Sequence, residues 1–165
     1  MLVTHTRKSL LAATLAVATL VLGARAVLAG GDWNDAAVAW RSYADGLKEA
    51  KEQKKPVLLV FYTEWCPHCT NYSRVFHDPR IVEKSKSFIM VRLDKEQNAD
   101  LSKKYAPDGE YIPRTYFLAP DGTLNPAITE QRPSYKYFYS ESNPSSLLRG
   151  MDAALAAFSA AAPGA

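Results

Sequence analysis

The chain has 165 residues, with 20 Lys and Arg against 17 Asp and Glu, which gives a formal net charge of +3. Arg7, Lys8 and Arg25 account for that excess, so the remainder is charge-balanced and lacks the basic run that binds nucleic acid or an anionic membrane. The length suits one domain that buries its own hydrophobic core without a metal or several disulfides.

Residues 1–29 have the pattern of an export signal. Arg7 and Lys8 form a basic start, residues 10–22 form an apolar core, and small residues precede Gly30. The alternative is an uncleaved membrane anchor, but the apolar run ends at Arg25 and falls short of the ~20 residues of a spanning helix. We therefore expect a cleaved signal peptide at residues 1–29 and a mature chain with no stable membrane span.

The first elements of the mature chain are predicted from composition and periodicity. Residues 30–35 are polar and glycine-bearing, so we expect a loose leader at residues 30–39, followed by a short edge strand at residues 40–43. Residues 44–55 have the charge pattern of a helix that turns Leu47 and Ala50 inward. The continuous apolar run at residues 57–62 is typical of a parallel strand covered on both faces.

The only two cysteines lie in the motif Trp65-Cys66-Pro67-His68-Cys69, directly after this strand. Proline is favoured at the first position of a helix, so Pro67 predicts a helix that begins at the motif. Cys66 would then lie at the helix N-terminus, where free N–H groups and the macrodipole stabilise a thiolate. Cys69 would lie about one turn further on the same face. This spacing predicts a reversible disulfide, with Cys66 exposed to a partner.

Two interpretations compete at each reactive residue of the motif. Two cysteines in an exported protein can form a structural staple, but a staple usually closes a longer loop, because a short loop removes little entropy from the unfolded chain. We therefore predict a redox pair in which Cys66 attacks and Cys69 resolves. His68 is either an exposed polar residue or a group whose imidazolium or N–H stabilises the Cys66 thiolate. Its position between the cysteines favours the second role.

The middle of the chain continues the alternation of helices and strands. Tyr72, Val75 and Phe76 continue the inward stripe of the helix, and Asp78-Pro79 predicts the capped start of a second, short helix. The apolar run at residues 88–94 predicts another buried strand.

The second half of the chain ends in a long helix. A short helix is expected at residues 100–105, a strand opened by Pro113 at residues 111–118, and a hairpin turn at Asp121-Gly122. Alternating Tyr135, Tyr137 and Tyr139 predict a strand with one tyrosine face, which we interpret as packing of an insertion. Asn143 then caps a helix that reaches about residue 160.

Several of these sequence blocks point to one family. The blocks are the Trp-Cys-x-x-Cys motif after a buried strand, Ile112-Pro113 before a hairpin, and residues 46–50, 107–114 and 133–139. From about residue 40 to residue 154, the chain resembles the thioredoxin fold of the disulfide isomerase superfamily and, more narrowly, thioredoxin domain-containing protein 12 and the anterior gradient proteins. The resemblance implies an α/β thioredoxin fold at residues 40–162, with a central mixed β-sheet flanked by helices on both faces, and a tail at residues 163–165.

The resemblance also implies roles for individual residues. Pro113 would be in cis beside the cysteines, and Ile112 would offer backbone hydrogen bonds to an extended substrate that Trp65 also borders. One position departs from the family pattern. Thioredoxins carry a buried carboxylate six residues before the first cysteine, whereas this chain has Val60 there, so the proton acceptor for Cys69 is unassigned, with Glu64 or water as candidates.

The function expected from these features is a thiol–disulfide oxidoreductase that exchanges disulfides with exported cysteine-containing proteins. Pro67-His68 matches the dipeptide of the bacterial oxidase DsbA, which favours an oxidising potential. We expect no cofactor beyond the Cys66–Cys69 disulfide, with glutathione possible as co-substrate, together with a redox recycling partner and a monomeric state. The alternatives are a chaperone-like binding module and a copper or zinc protein that uses Cys66, Cys69 and His68.

The expected location follows from the two ends of the chain. The export signal indicates the periplasm or secretion. The final residues Ala-Ala-Pro-Gly-Ala lack the retention tetrapeptide of the reticulum relatives, so the lumen of the endoplasmic reticulum is the alternative.

Overall fold

The computed structural model describes residues 31–160, so the export signal and the tail predicted above lie outside the described residues. The described chain alternates strands and helices in the following order: β1 (Trp40–Arg41), α1 (Tyr43–Gln53), β2 (Val57–Tyr62), α2 (Pro67–Ser73), a 3-10 helix (Arg74–His77), α3 (Pro79–Ser85), β3 (Ile89–Asp94), α4 (Ala99–Lys104), β4 (Arg114–Leu118) and α5 (Pro144–Ala160). The predicted elements therefore form, with boundaries that shift by a few residues.

The strands build one mixed sheet in the order β1-β3-β2-β4. Strand β3 pairs in parallel with both β1 and β2, whereas β4 runs antiparallel to β2. Strand β2 is thus a central strand, and all but its last residue are buried, as its unbroken apolar run predicts. Its carboxyl end leads directly into the cysteine motif.

Two hydrophobic clusters cover the two faces of the sheet. Because side chains alternate along a strand, Leu58 and Val60 of β2 face one cluster, and Val57, Leu59 and Phe61 face the other. The first cluster includes residues of α2, α3 and α5, and the second includes residues of α1 and α4. Helices therefore flank the sheet on both faces, which confirms the predicted fold class.

The segment before β1 corrects one expectation. Trp33 is 2% exposed and Val38 is 1% exposed, so residues 31–39 pack on the domain and are not the loose leader that their polar composition predicts. The ring of Trp33 lies 5.5 Å from that of Phe76 and 6.2 Å from that of Tyr72. This segment therefore covers the far side of the helix that begins at the cysteines.

The tyrosine-rich segment corrects a second expectation. Residues 133–139 form turns and not a strand, and Tyr135 adopts a left-handed backbone with φ of 53°. Tyr135 is exposed, whereas Tyr137 and Tyr139 are buried in the clusters on opposite faces of the sheet. The alternation thus reflects a chain that crosses the edge of the sheet, although packing, our preferred interpretation, is correct.

Among residues 31–160, none of the helices combines the length and the apolar character that crossing a bilayer requires.

Candidate active site

The cysteine motif lies where β2 ends and α2 begins. Cys66 is the N-cap of α2, with extended backbone dihedrals, and Pro67 takes the first helical position. The sulfur of Cys66 accepts a hydrogen bond from the backbone N–H of Cys69 at 3.3 Å. One orphan N–H of the helix therefore points at this sulfur, and the N-terminus of a helix carries a partial positive charge.

The two cysteines differ in their surroundings. Both are free thiols in the structure. Cys66 is 4% exposed and Cys69 is fully buried, so the expectation that Cys66 is open to a partner is wrong for this conformation. The reason is that both cysteines belong to the apolar cluster that fills this face of the sheet, against which Ile112 also packs.

Burial sets the protonation of the second cysteine. Loss of solvation raises the pKa of the Cys69 thiol well above its ordinary value, and its hydrogen bond with Cys66 and the charge of Asp94 act in the same direction. A hydrogen bond from the backbone of Thr63 opposes the shift without cancelling it. Cys69 therefore remains a thiol near neutral pH, and its chemistry needs a group that takes its proton.

The strand beside the motif carries the proline that the resemblance singled out. The bond between Ile112 and Pro113 is cis, as the resemblance implies, and Pro113 is buried at the start of β4. The hydroxyls of Tyr72 and Thr115 share a hydrogen bond of 2.8 Å inside the protein, which joins α2 to β4. The helix that carries the cysteines is thus fixed against the strand that follows the cis-proline.

Trp65 gives the site an exposed aromatic rim. Its side chain is 68% exposed, although large apolar rings are usually covered. Its indole Nε1 donates a hydrogen bond of 2.9 Å to Glu96, which fixes the ring's orientation. An exposed and oriented ring next to Cys66 is suited to contact another protein.

His68 faces a part of the chain that the sequence did not connect with the motif. Its Nδ1 lies 3.0 Å from Oε2 of Glu141, and its ring contacts that of Phe138 with centroids 6.0 Å apart. Both partners belong to the connection segment, residues 121–143 between β4 and α5. No periodicity in that segment indicates these contacts. The proposed role of His68 in stabilising the Cys66 thiolate stays a prediction.

Arg114 is hydrogen-bonded to the end of α4 and to the loop that precedes the cis-proline. It is completely buried and donates to the carbonyl oxygens of Ser102, Tyr105 and Gly109 at 3.4, 3.3 and 2.9 Å. The carbonyls of Ser102 and Tyr105 lie at the end of α4, where a cation is favoured by the unsatisfied C=O groups. The sequence places Arg114 in a predicted strand, and a charged side chain is not expected to be buried.

The position of the missing carboxylate is apolar in the structure as well. Val60 is fully buried in the same cluster as both cysteines. Among the described residues 31–160, no three His, Cys, Asp or Glu side chains are grouped so that they could hold a metal ion.

Comparisons with known proteins agree with this architecture. A family model described as Thioredoxin-like matches residues 39–120. Anterior gradient protein 3 of Xenopus tropicalis is 30% identical over 126 residues, covering 74% of this chain and 74% of that protein. Anterior gradient protein 2 homolog of Homo sapiens is 28% identical over 124 residues, covering 74% of this chain and 69% of that protein.

Solved structures give the same fold. The solution structure of a thioredoxin from Thermus thermophilus matches with a TM-score of 0.60 and 18% identity, and it covers 76% of this chain and 92% of that one.

Proposed function

Because the chain belongs to the thioredoxin-like family, we propose that it is a thiol–disulfide oxidoreductase whose reactive pair is Cys66 and Cys69. The observation that carries this proposal is the position of Cys66 as the N-cap of α2, with the N–H of Cys69 directed at its sulfur. A purely structural pair would not need a sulfur at a helix N-terminus, where its thiolate is favoured.

The first step uses Cys66 as the nucleophile. Its thiolate attacks one sulfur of a substrate disulfide, forms a mixed disulfide and releases the other substrate sulfur as a thiolate, which takes up a proton. Cys69 then loses its proton and attacks Cys66, which releases the second substrate thiol. The protein ends with a Cys66–Cys69 disulfide and the substrate gains two electrons and two protons. The reverse sequence oxidises a substrate dithiol.

The burial of Cys69 gives the pair its asymmetry. Its raised pKa keeps it protonated while Cys66 reacts, so that the mixed disulfide forms on Cys66 first. Resolution then requires a proton acceptor, which the buried Val60 cannot provide. Asp94, at the end of β3, is a carboxylate whose charge acts on Cys69. Water or His68 could complete the path.

The substrate surface follows from the exposed residues around the motif. Trp65 offers an exposed ring, and Ile112 is half-buried immediately before the cis-proline. An extended substrate segment that pairs with the backbone at Ile112 and Pro113 would bring its disulfide to Cys66. This mode of binding depends little on substrate sequence, which suits a protein that acts on many partners.

The compartment we propose is an oxidising one. The export signal predicted at residues 1–29 supports the periplasm or secretion, with the lumen of the endoplasmic reticulum as the alternative. Exported cysteine-containing proteins would be the substrates. Glutathione or a dedicated redox protein would reset the Cys66–Cys69 pair, which itself needs no other cofactor.

Trapping the mixed disulfide tests the proposal. Cys69→Ser should accumulate a covalent adduct with a model protein that contains disulfides, because the resolving thiol is missing. Dithiothreitol should release the model protein from that adduct. Cys66→Ser should form no adduct and should exchange no faster than buffer. Exchange by Cys66→Ser at the parent rate would contradict the proposal. If the parent exchanged no disulfide while the variant with both Cys66→Ser and Cys69→Ser suppressed aggregation of a model protein, a binding module would replace the proposal.

A further inference from the structure

The contact between His68 and Glu141 fixes where the imidazole carries its proton. Nδ1 of His68 lies 3.0 Å from Oε2 and 3.3 Å from Oε1 of Glu141. An ionised carboxylate only accepts hydrogen bonds, so Nδ1 must be the donor. In the neutral ring the proton is then on Nδ1, and Nε2 has a free lone pair.

Glu141 is held in place by its neighbours along the chain. The N–H of Ser140 donates to Oγ of Ser146 in α5 at 3.0 Å, and the N–H of Asn143 donates back to Oγ of Ser140 at 3.0 Å. These bonds tie the backbone on both sides of Glu141 to the start of α5. The carboxylate is half-buried, with 27% of its side chain exposed.

A second contact restricts the ring of His68 from another side. Phe138 packs edge-on against it, and the backbone carbonyl of Phe138 accepts a hydrogen bond of 3.2 Å from Arg132. Two residues of the connection segment therefore define the orientation of a side chain that lies between the two cysteines. Neither residue belongs to the part of the chain that the family model matches.

We propose that Glu141 is a positioning residue for His68, which it holds as the Nδ1–H tautomer so that Nε2 stays free to take up and return a proton, through water, during exchange at the cysteine pair. This inference rests on the proposed oxidoreductase function and deepens it. The proton that Cys69 loses as its sulfur attacks Cys66 goes through water to Nε2, and it returns to the thiolate that the substrate releases. No electron passes through the ring. The arrangement takes over the proton transfer that the carboxylate absent at Val60 would perform.

Other charges around the pair do not replace Glu141. Arg74 lies along an open cleft of about 390 Å³ that Glu141 also borders, and Glu130 and Arg132 lie along a neighbouring cleft of about 370 Å³. Glu130 is already engaged, since it accepts hydrogen bonds from Arg149 and Ser146. The carboxylate that contacts His68 is therefore that of Glu141.

Nitrogen-15 NMR of the histidine rings tests the contact without any assay of activity. In the purified protein, His68 should show the Nδ1–H tautomer, with His77 as an internal reference. Glu141→Ala should shift the ring towards Nε2–H, because the acceptor is lost. Glu141→Gln should keep most of the Nδ1–H form, because the amide oxygen still accepts. An unchanged tautomer in Glu141→Ala, or Nε2–H in the parent, would overturn the proposal.

Kinetics with a model disulfide test the consequence for exchange. Loss of a partner that orients a histidine typically costs about tenfold or more, so kcat/KM of Glu141→Ala should fall about tenfold, with KM unchanged and an altered pH profile. Glu141→Gln should lie between it and the parent. Glu83→Gln, an exposed carboxylate on α3, should match the parent.

The two measurements separate the proposal from the function on which it rests. A parent that exchanges no disulfide would refute the oxidoreductase function and, with it, the proton role of His68, whatever the tautomer. A parent that exchanges at the same rate and with the same pH profile as Glu141→Ala would refute only the role of Glu141.

Discussion

Residues 39–120 and the connection segment contribute to the same site in different ways. The first region places Cys66, Cys69 and Pro113 through regular backbone, because the cysteines lie at the start of α2 and Pro113 directly precedes β4. The connection segment has no helix or strand beyond an isolated bridge between Leu118 and Leu124. It contributes through side chains, by placing Phe138 and Glu141 against His68.

The two regions are therefore expected to control different properties of the protein, its free energy of unfolding and its rate of disulfide exchange. Outside the cysteine motif and the cis-proline, substitutions in residues 39–120 should act mainly on the free energy of unfolding, since that region supplies the sheet. Substitutions in the connection segment that reach His68 should act mainly on exchange, since an exposed ion pair adds at most about 1 kcal/mol to stability.

The largest expected effect on stability is at Arg114. Arg114→Met removes the donor from the carbonyls of the buried Ser102 and Tyr105, at about 1 to 3 kcal/mol for each unsatisfied group, and also from that of the exposed Gly109. We expect a total loss of about 3 kcal/mol or more in urea unfolding. Arg149→Met is the matched control, because its ion pair with Glu130 is exposed, and it should cost less than about 1 kcal/mol. Equal losses in both variants would contradict this view of Arg114.

Gly150 lies where the two regions meet, so it tests how tightly they are joined. A Cβ at this position would lie 2.8 Å from Cε2 of Phe117 in β4 and 2.8 Å from Cε1 of Tyr139 in the connection segment. Gly150→Ala should therefore destabilise the protein by about 1 to 3 kcal/mol in thermal or urea unfolding. Glycine to alanine at an open helix position would instead stabilise by up to about 1 kcal/mol. A stabilising effect of Gly150→Ala would contradict close packing of α5 against β4 and the connection segment.

Phe138 tests the connection segment without removing a charge. Phe138→Leu loses the edge-on contact with the His68 ring, which is worth about 0.5 to 1.5 kcal/mol. Exchange with a model disulfide should slow by about twofold if about half of that energy orients the ring. Phe158→Leu makes the same chemical change on α5, in a half-buried side chain, and should leave the rate as it is. Slower exchange by Phe158→Leu would mean that the effect comes from a general loss of packing and not from the contact with His68.

The smallest expected effect is a dependence of stability on pH at Glu49. Its hydrogen bond from Arg41, at 2.6 Å, lowers the pKa of the carboxyl. A lowered folded-state pKa stabilises the protein above the unfolded value of about 4.3 and loses that contribution as the pH falls through the folded value. Glu49→Gln should therefore be less stable than the parent by under about 1 kcal/mol at pH 7, with the difference vanishing in acid and exchange unaffected. A difference that grew on acidification would contradict the sign.

The two regions also differ in how far the sequence predicts them. The apolar run of β2, Pro67 after Cys66 and Asn143 before α5 are local signals, and the structure confirms the elements that they predict. The contact of His68 with Glu141 spans 73 positions and follows from irregular backbone, for which the sequence offers no period. The burial of Arg114 depends on carbonyl groups at the end of α4, and no pattern in the sequence indicates that these groups lie close to Arg114.

The segment before β1 shows a signal that composition obscured. Residues 31–39 are polar on average, yet the buried Trp33 and Val38 carry enough apolar surface to bind the segment to the domain. The same reasoning explains Tyr137 and Tyr139, whose alternation reflects two separate clusters and not one strand face.

Equilibration in glutathione buffers of graded potential tests the central claim most directly, which is that Cys66 and Cys69 form one reversible redox pair. Free thiols are counted at each potential after rapid quenching in acid. The proposal predicts that both thiols disappear together in a single two-electron transition and return on reduction. Independent modification of each cysteine by glutathione, or persistence of both thiols at every potential, would contradict it.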